Sequence, residues 1–515
     1  MRFFLTMLIL LTTVSSSFGQ AERLTSKRSA PFEVQGISYP RTNTLELGDA
    51  RFIVTVNLNN KKVGKGYTLI KYDDKTGDGT SVPITFEYEG KPMSYHNTKI
   101  FNGGLYIFSY FFNKKDKTAY LFGQEYDTVS LKPKGKLKLM SKLPGLKGKA
   151  NGTWKVLTSD NESLLAVQTI YDPEKKNENG KVIIEHFDND LKVTTTLEPD
   201  LPVSPSGELR LGVEILKNDG TIVMYLKEEA EKTARNKNPK GIEVIYQIYK
   251  DGSTPSRTPY KLDRGDKRSG IWSVNDEKNT LTIYGAYGPN TSLGYYVMDF
   301  DLATTEKTKE IIIPFALSES GYGLKKSNGG DGNADDLEDL TDWLRPNHLI
   351  HEPDGSMFIL GLQRYSQEVT SGNRIYNIYT AKNITAAHVL PDGEVNYIQT
   401  IPMHATYAPW SLGLNTVKVS AVDGALYLSF VDTPKNRNRF SKEPYKAHPM
   451  SVTCGRLVTI TPDGTPREHL VYGEKGGQRN MIYPLTATLS EDKSRIYTYN
   501  FIGKNKAAIH RIELQ

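Results

Sequence analysis

Six residues in the last third of this chain have the chemistry of an acid, a base or an anion anchor: Arg345, His348, His404, Tyr407, Tyr445 and His448. Cleaving a polymer by acid–base chemistry needs one group to take a proton while another gives one. Both must reach the same bond. Nothing in the spacing of the six shows that two of them meet, so no catalytic residue is assigned. His348-Leu349-Ile350-His351 invites a metal reading. On a strand, however, residues three apart point to opposite faces, and no metal is assigned there.

Binding chemistry is better represented. Segment 403–412 holds His404, Tyr407 and Trp410, and exposed aromatics stack on sugar rings or anchor protein partners. Packing between neighbouring elements is the competing use of the two aromatic rings. Segment 433–450 is basic, with Lys435, Arg437, Arg439, Lys442 and Lys446 interleaved with Phe440, Tyr445 and His448. It suits an acidic glycan, an anionic headgroup or an acidic protein patch, and equally an ordinary solvated charge run. Trp343 and Arg345 close a third segment, 317–346, which begins glycine-rich and turns acidic. Within it Asp331, Asn333, Asp335, Asp339 and Asp342 have the spacing of a calcium loop. Position 6 is Asp336 where glycine is required and position 12 is Asp where Glu is usual. A short helix with acids at its N-terminal end explains the same residues. Calcium at Asp331, Asn333 and Asp335 therefore stays an open alternative, and no cofactor is assigned.

The elements that must position these residues are strands. A turn rich in Gly, Asp or Asn, followed by an apolar strand, recurs eight times. The clearest copies are Asn102-Gly103-Gly104 before Leu105, Asn218-Asp219-Gly220 before Thr221, Pro353-Asp354-Gly355 before Ser356 and Val422-Asp423-Gly424 before Ala425. The marked strands start near 51, 105, 163, 221, 280, 356, 425 and 495. Each unit has room for one strand before the marked one and two after it, as in Leu211–Leu216, Ile242–Tyr249 and Thr258–Leu262. Four antiparallel strands per unit make a propeller blade. Inner blade strands are packed on both faces, so they should be apolar nearly throughout rather than alternating. Leu105–Phe112 and Met357–Leu362 fit that demand. Helical composition is confined to Glu228–Arg235 and Ala334–Leu344.

The chain thus resembles the β-propeller superfamily over residues 21–515. The fold expected is all-β: a single propeller of eight four-stranded blades. A seven-bladed ring and a string of β-sandwiches are the alternatives. The last unit is one strand short. Phe32-Glu33-Val34-Gln35-Gly36-Ile37 is the segment expected to complete it, since closure hides sheet edges. The resemblance is architectural, because Trp-Asp repeats, kelch glycine pairs and sialidase-type Asp boxes are not found. It implies the fold and little of the chemistry.

If strands are lettered A to D from the axis outward, A–B and C–D turns share one side of the disc, and B–C and D–A connections share the other. The A–B and C–D turns are short. The long excursions, 172–181, 228–240, 317–346, 366–373, 403–412, 433–450 and 473–480, all belong to the second side. Loops on a rigid scaffold are where binding concentrates. The residues expected to bind are therefore Trp343, Arg345, His348, His404, Tyr407, Trp410, Arg437, Arg439, Tyr445 and His448.

Residues 1–20 read as an export signal. Arg2 is followed by the apolar run Phe3–Val14 and a small-residue exit. Twelve apolar residues fall short of the ~20 that span a bilayer. A cleaved leader and a periplasmic or secreted protein are expected, with no membrane span. Cys454 is the only cysteine, so no internal disulfide is possible, and it suits a buried strand position. A net charge of +6 over 515 residues is too weak to mark a nucleic-acid binder. The function expected is binding or scaffolding in the cell envelope, with an envelope protein or a polysaccharide as partner. The alternative is a polysaccharide lyase or hydrolase at the channel mouth on the same side.

Overall fold

The computed structural model describes residues 26–514, except 34–37, 41–43, 58–65, 147–148, 173–179, 202–213, 229–241, 264–266, 289–290, 320–322, 327–339, 372–373, 408–416, 437, 441, 445–453, 473–480, 483–485, 491 and 504–505. The chain forms an eight-bladed β-propeller, which excludes the seven-bladed ring and the row of sandwiches. Every one of the eight turn-marked segments is the B strand of a separate sheet: Ala50–Asn57, Gly104–Asn113, Leu165–Tyr171, Ile222–Glu228, Thr280–Tyr287, Met357–Ser371, Ala425–Asp432 and Arg495–Gly503. A strands touch their neighbours around the axis from blade 1 to blade 4 and from blade 5 to blade 8.

The core lies between blades rather than within one layer. Phe52, Val54, Leu105 and Ile107 join blades 1 and 2. Ile222, Met224, Ala166 and Ile184 join blades 3 and 4. A larger cluster runs from blade 6 through 7 and 8 to blade 1, with Leu360, Leu428, Tyr499 and Ile70. Both faces of each sheet are covered, and strand B of blade 5 is accordingly buried at every position after its first. Gly361 shows how close the approach is. A Cβ there would lie 2.3 Å from the Tyr295 hydroxyl, which donates to the Thr385 carbonyl. Cys454 opens strand C of blade 7 and is buried, as expected.

The ring closes through the N-terminal segment, and the closing strand starts earlier than expected. Ser26–Arg28 and Phe32–Glu33 both pair with Lys506–Glu513, the C strand of blade 8, while residues 34–37 lie outside the described residues. The buried Phe32 ring packs against Gly79 in the D strand of blade 1. Across the same junction the Tyr497 hydroxyl of blade 8 donates to the Asp74 carbonyl of blade 1, and buried Arg51 braces the Asp74 turn within blade 1. Arg51 reaches Asp74 at 3.1 Å and the Gly48 carbonyl at 2.6 Å.

The turn side is latched blade to blade. The Asn102 N–H donates to the Glu162 carbonyl at 2.8 Å, that of Asn161 to Asn218 Oδ1 at 3.1 Å, and that of Asn218 to Asp276 Oδ2 at 3.1 Å. These Asn and Asp side chains also cap their own turns, as when Asp219 accepts from the Thr221 N–H at 2.8 Å. The turn residues that mark the repeat therefore also hold neighbouring repeats together.

Candidate functional site at the junction of blades 6 and 7

Blade 6 outgrows the others. Its A, B, C and D strands span Leu344–His351, Met357–Ser371, Arg374–Val389 and Val395–Tyr407. Segment 366–373, expected as a loop, is largely strand. The B and C strands continue paired as far as Ser371 and Arg374. Eight residues beyond Gln363, at about 3.3 Å each, raise a β-ribbon roughly 25 Å above the loop side. A bulge marks its base. Asn383 adopts φ 52° and donates from Nδ2 to Gln363 Oε1 at 3.0 Å.

Register decides which side chains converge. Arg345 pairs with Leu362 and Leu344 with Gln363. Arg364 is therefore the diagonal neighbour of Arg345 on one face of the sheet, about 7–8 Å away. Leu362 and Ala381, which share that face, pack in the cluster joined to blade 7. Both arginines thus stand on the blade 7 side, at the loop end. Tyr379 belongs to the same face, two residues along from Ala381. Trp343 lies just before strand A with its indole 50% exposed. Its backbone is left-handed, φ 58°, and its carbonyl accepts the Arg364 N–H at 3.2 Å. A bulky residue with positive φ costs about 1 kcal/mol or more, so the surroundings hold Trp343 in that position.

No carboxylate offsets this arginine pair among the described residues. Burial and then the neighbouring Arg345 both lower the proton affinity of Arg364. Deeper on the same face, His348 pairs with Leu360. Its Nε2–H donates to the Val417 carbonyl of blade 7 at 2.9 Å. That bond leaves Nδ1 as the acceptor, and burial depresses the ring's pKa.

The opposing wall begins at Asp432, the last residue of strand B in blade 7. It is fully buried. Oδ1 accepts from the Thr433 N–H at 2.7 Å, the His404 N–H at 3.1 Å and Asn436 Nδ2 at 2.9 Å. Oδ2 takes Arg456 Nη1 at 2.7 Å. Arg456 is equally buried. It also holds Glu468 at 2.9 Å and the Pro402 carbonyl at 3.0 Å, and stacks over Phe430 at 5.0 Å. Burial disfavours its charge, yet the two carboxylates outweigh that and raise its pKa. Glu468 in turn accepts the Asn438 N–H at 2.7 Å. This network ties the D strand of blade 6 to the base of the basic segment. From that base Lys435 and Lys442 are exposed, while Arg439 folds back onto the Glu443 carbonyl at 2.8 Å.

The expected binding residues divide accordingly. Arg345 and His348 share the blade 7 side of blade 6, and exposed Trp343 adjoins them just before strand A. His404 does not join them. It pairs with Lys382, opposite Gln363, and so faces blade 5 with its side chain buried. Tyr407 ends strand D opposite Tyr379, and its side chain is outside the described residues. Trp410, Arg437, Tyr445 and His448 also lie outside them, as do Asp331, Asn333 and Asp335. His351 lies at the far end of strand A, near the turn side. Sequence reasoning missed Arg364 because it ended strand B too early. The signal was present: Gly372-Asn373 sits between two runs rich in Tyr, Thr, Val and Ile, a hairpin pattern.

Two depressions, of about 720 and 570 Å3, lie on the opposite, turn side. The larger is edged by Asn102, Asp188, Asp190 and Lys250, the smaller by Lys217, Asp219 and Asp276. Both are shallow gaps between latched turns. Lys217 within the smaller one already donates to Asn279 at 2.8 Å.

No protein-family model and no curated protein matches the sequence. Solved structures, propellers among them, do match in shape. The β-propeller domain of the Trilobed protease from Pyrococcus furiosus is 12% identical, with 86% of this chain and 98% of that one covered, at TM-score 0.39. The Dos1 propeller is 9% identical over 94% and 95%, at TM-score 0.44. The polysaccharide lyase Uly1 is 11% identical over 84% and 94%, at TM-score 0.35. At such identities the likeness is one of fold alone.

Proposed function

We propose that this protein is an exported binding or scaffolding propeller of the cell envelope, engaging an envelope protein or polysaccharide through its loop side. One observation carries the reading. The loop side rises into the blade 6 ribbon beside exposed Trp343 and Arg345, over a base welded by the Asp432–Arg456–Glu468 network. A rigid base under projecting aromatic and cationic side chains is what recognition requires. The turn side, by contrast, uses its polar groups on itself. The leader-like residues 1–20 supply the argument for export.

A photo-crosslinking residue at Glu368, on the ribbon, is compared with one at Asp190, on the turn side, in intact cells. Covalent capture of an envelope component from position 368 and none from 190 is expected. Capture from 190 alone, or from neither, would overturn the reading. Cell fractionation tests export separately. An uncleaved chain recovered in the cytoplasm would remove the envelope assignment.

A further inference from the structure

The Arg345–Arg364 pair has no structural account in the fold. Surface arginines ordinarily stand apart or beside a carboxylate, because like charges on facing strands destabilise a sheet. Here two guanidiniums are diagonal neighbours on one face, Arg364 only partly exposed, with no acidic partner among the described residues. Each fork can bind a carboxylate through two parallel hydrogen bonds. Trp343, half exposed, precedes Arg345 by two residues and bonds the Arg364 N–H through its carbonyl, while Tyr379 shares the arginines' face. Both rings are flat apolar surfaces of the kind that lies against a sugar ring. Lys435 and Lys442 add exposed positive charge across the junction.

Resting on the binding role proposed above, we infer that the loop end of the blade 6–7 junction binds a carboxylated polysaccharide. Arg345 and Arg364 take the carboxylates, and Trp343 stacks on a sugar ring. An acidic protein segment would use the arginines but not need the strained tryptophan, which favours the glycan.

The test titrates the full-length mature protein with polygalacturonate and follows tryptophan emission. Trp154 and Trp272 are buried, so Trp343 carries much of any change among the described tryptophans. Saturable binding that falls steeply with salt is expected. Methyl-esterified polygalacturonate, with the same rings and no charge, should bind at least tenfold more weakly. Arg345→Ala should weaken binding roughly tenfold or more, the usual scale for a lost charge-assisted bond. Arg364→Ala should do so at least as strongly, and Trp343→Ala should also weaken it. Arg345 is exposed, so its variant keeps the test valid even if Arg364→Ala folds poorly. Lys250→Ala on the turn side should change nothing.

Equal affinity in the arginine variants would overturn the inference. So would tighter binding of polyglutamate than of polygalacturonate, which points to an acidic protein. So would binding that appears only after Asp335, Asp336 and Asp339 are replaced by Asn, which makes the acidic stretch the internal counter-charge. If polygalacturonate fails to bind while Glu368 still captures a component in cells, this inference falls and the binding role stands.

Discussion

Replacing Asp432 with alanine would test whether the buried ion network holds the blade 6–7 junction. The substitution takes an acceptor away from four donors: Arg456 Nη1, Asn436 Nδ2 and the N–H groups of His404 and Thr433. Removing one partner of a buried pair costs about 3–5 kcal/mol, because the surviving charge stays out of water. Arg456 retains Glu468 and the Pro402 carbonyl, so the lower end, about 3 kcal/mol, is expected. Unfolding entropy of about 2.1 cal/mol/K per residue gives roughly 1 kcal/mol/K for a chain of this length. The melting temperature should then fall by only about 3 °C if the ring melts as a unit. Urea unfolding is therefore the better assay, with limited proteolysis between 433 and 444 reporting local release. Asp432→Asn keeps an acceptor for the backbone donors and should cost less, about 1–2 kcal/mol. An Asp432→Ala protein within 0.5 kcal/mol of the wild type, with no new cleavage between 433 and 444, would refute the reasoning.

Other perturbations reach different parts of the ring. Phe32→Ala should weaken closure by about 3 kcal/mol, since a buried aromatic is lost from the blade 8–1 seam, and chemical denaturation measures it. Gly361→Ala should cost about 1–3 kcal/mol by overpacking against Tyr295, while an equally stable variant would show that Tyr295 can move. His186 is buried, neither ring nitrogen has a partner among the described residues, and burial pushes its pKa down to about 4. The unfolded chain, near 6.5, then binds the proton first, so stability should decline as pH falls from about 6.5 toward 4 and level off below. The loss is at most about 3 kcal/mol from this residue. Urea midpoints at pH 7.5 and 5.0 should show the drop, and His186→Leu should reduce it.

The fold was legible because a blade repeats one local device. Gly, Asp and Asn are needed where the A–B turn bends, and apolar residues are needed where a strand is covered on both faces. Eight copies of that pair could be aligned without any knowledge of their partners. The closing strand was placed only approximately. Phe32–Glu33 was within the expected segment, but Ser26–Arg28, with two charges in three residues, carries no apolar signature. Its pairing with residues 510–512 is set by the unpaired edge of the last blade.

The site was legible in part. Arg345 and His348 fell on one face of blade 6, yet His404 turned to the other, although the sequence reading expected all of them to bind on one side of the disc. Two bulges, at Asn347 and Asn383, set which residues face blade 7, and a bulge reverses the alternation beyond it.

Local patterning alone marked the eight B strands, the turn side and the loop side, because turn chemistry and apolar runs act over a few residues. Tertiary structure decided what meets what. Arg364 became the neighbour of Arg345, and Asp432 of Arg456, through cross-strand register. Register is set by whole faces packing between blades, and no single segment carries that information.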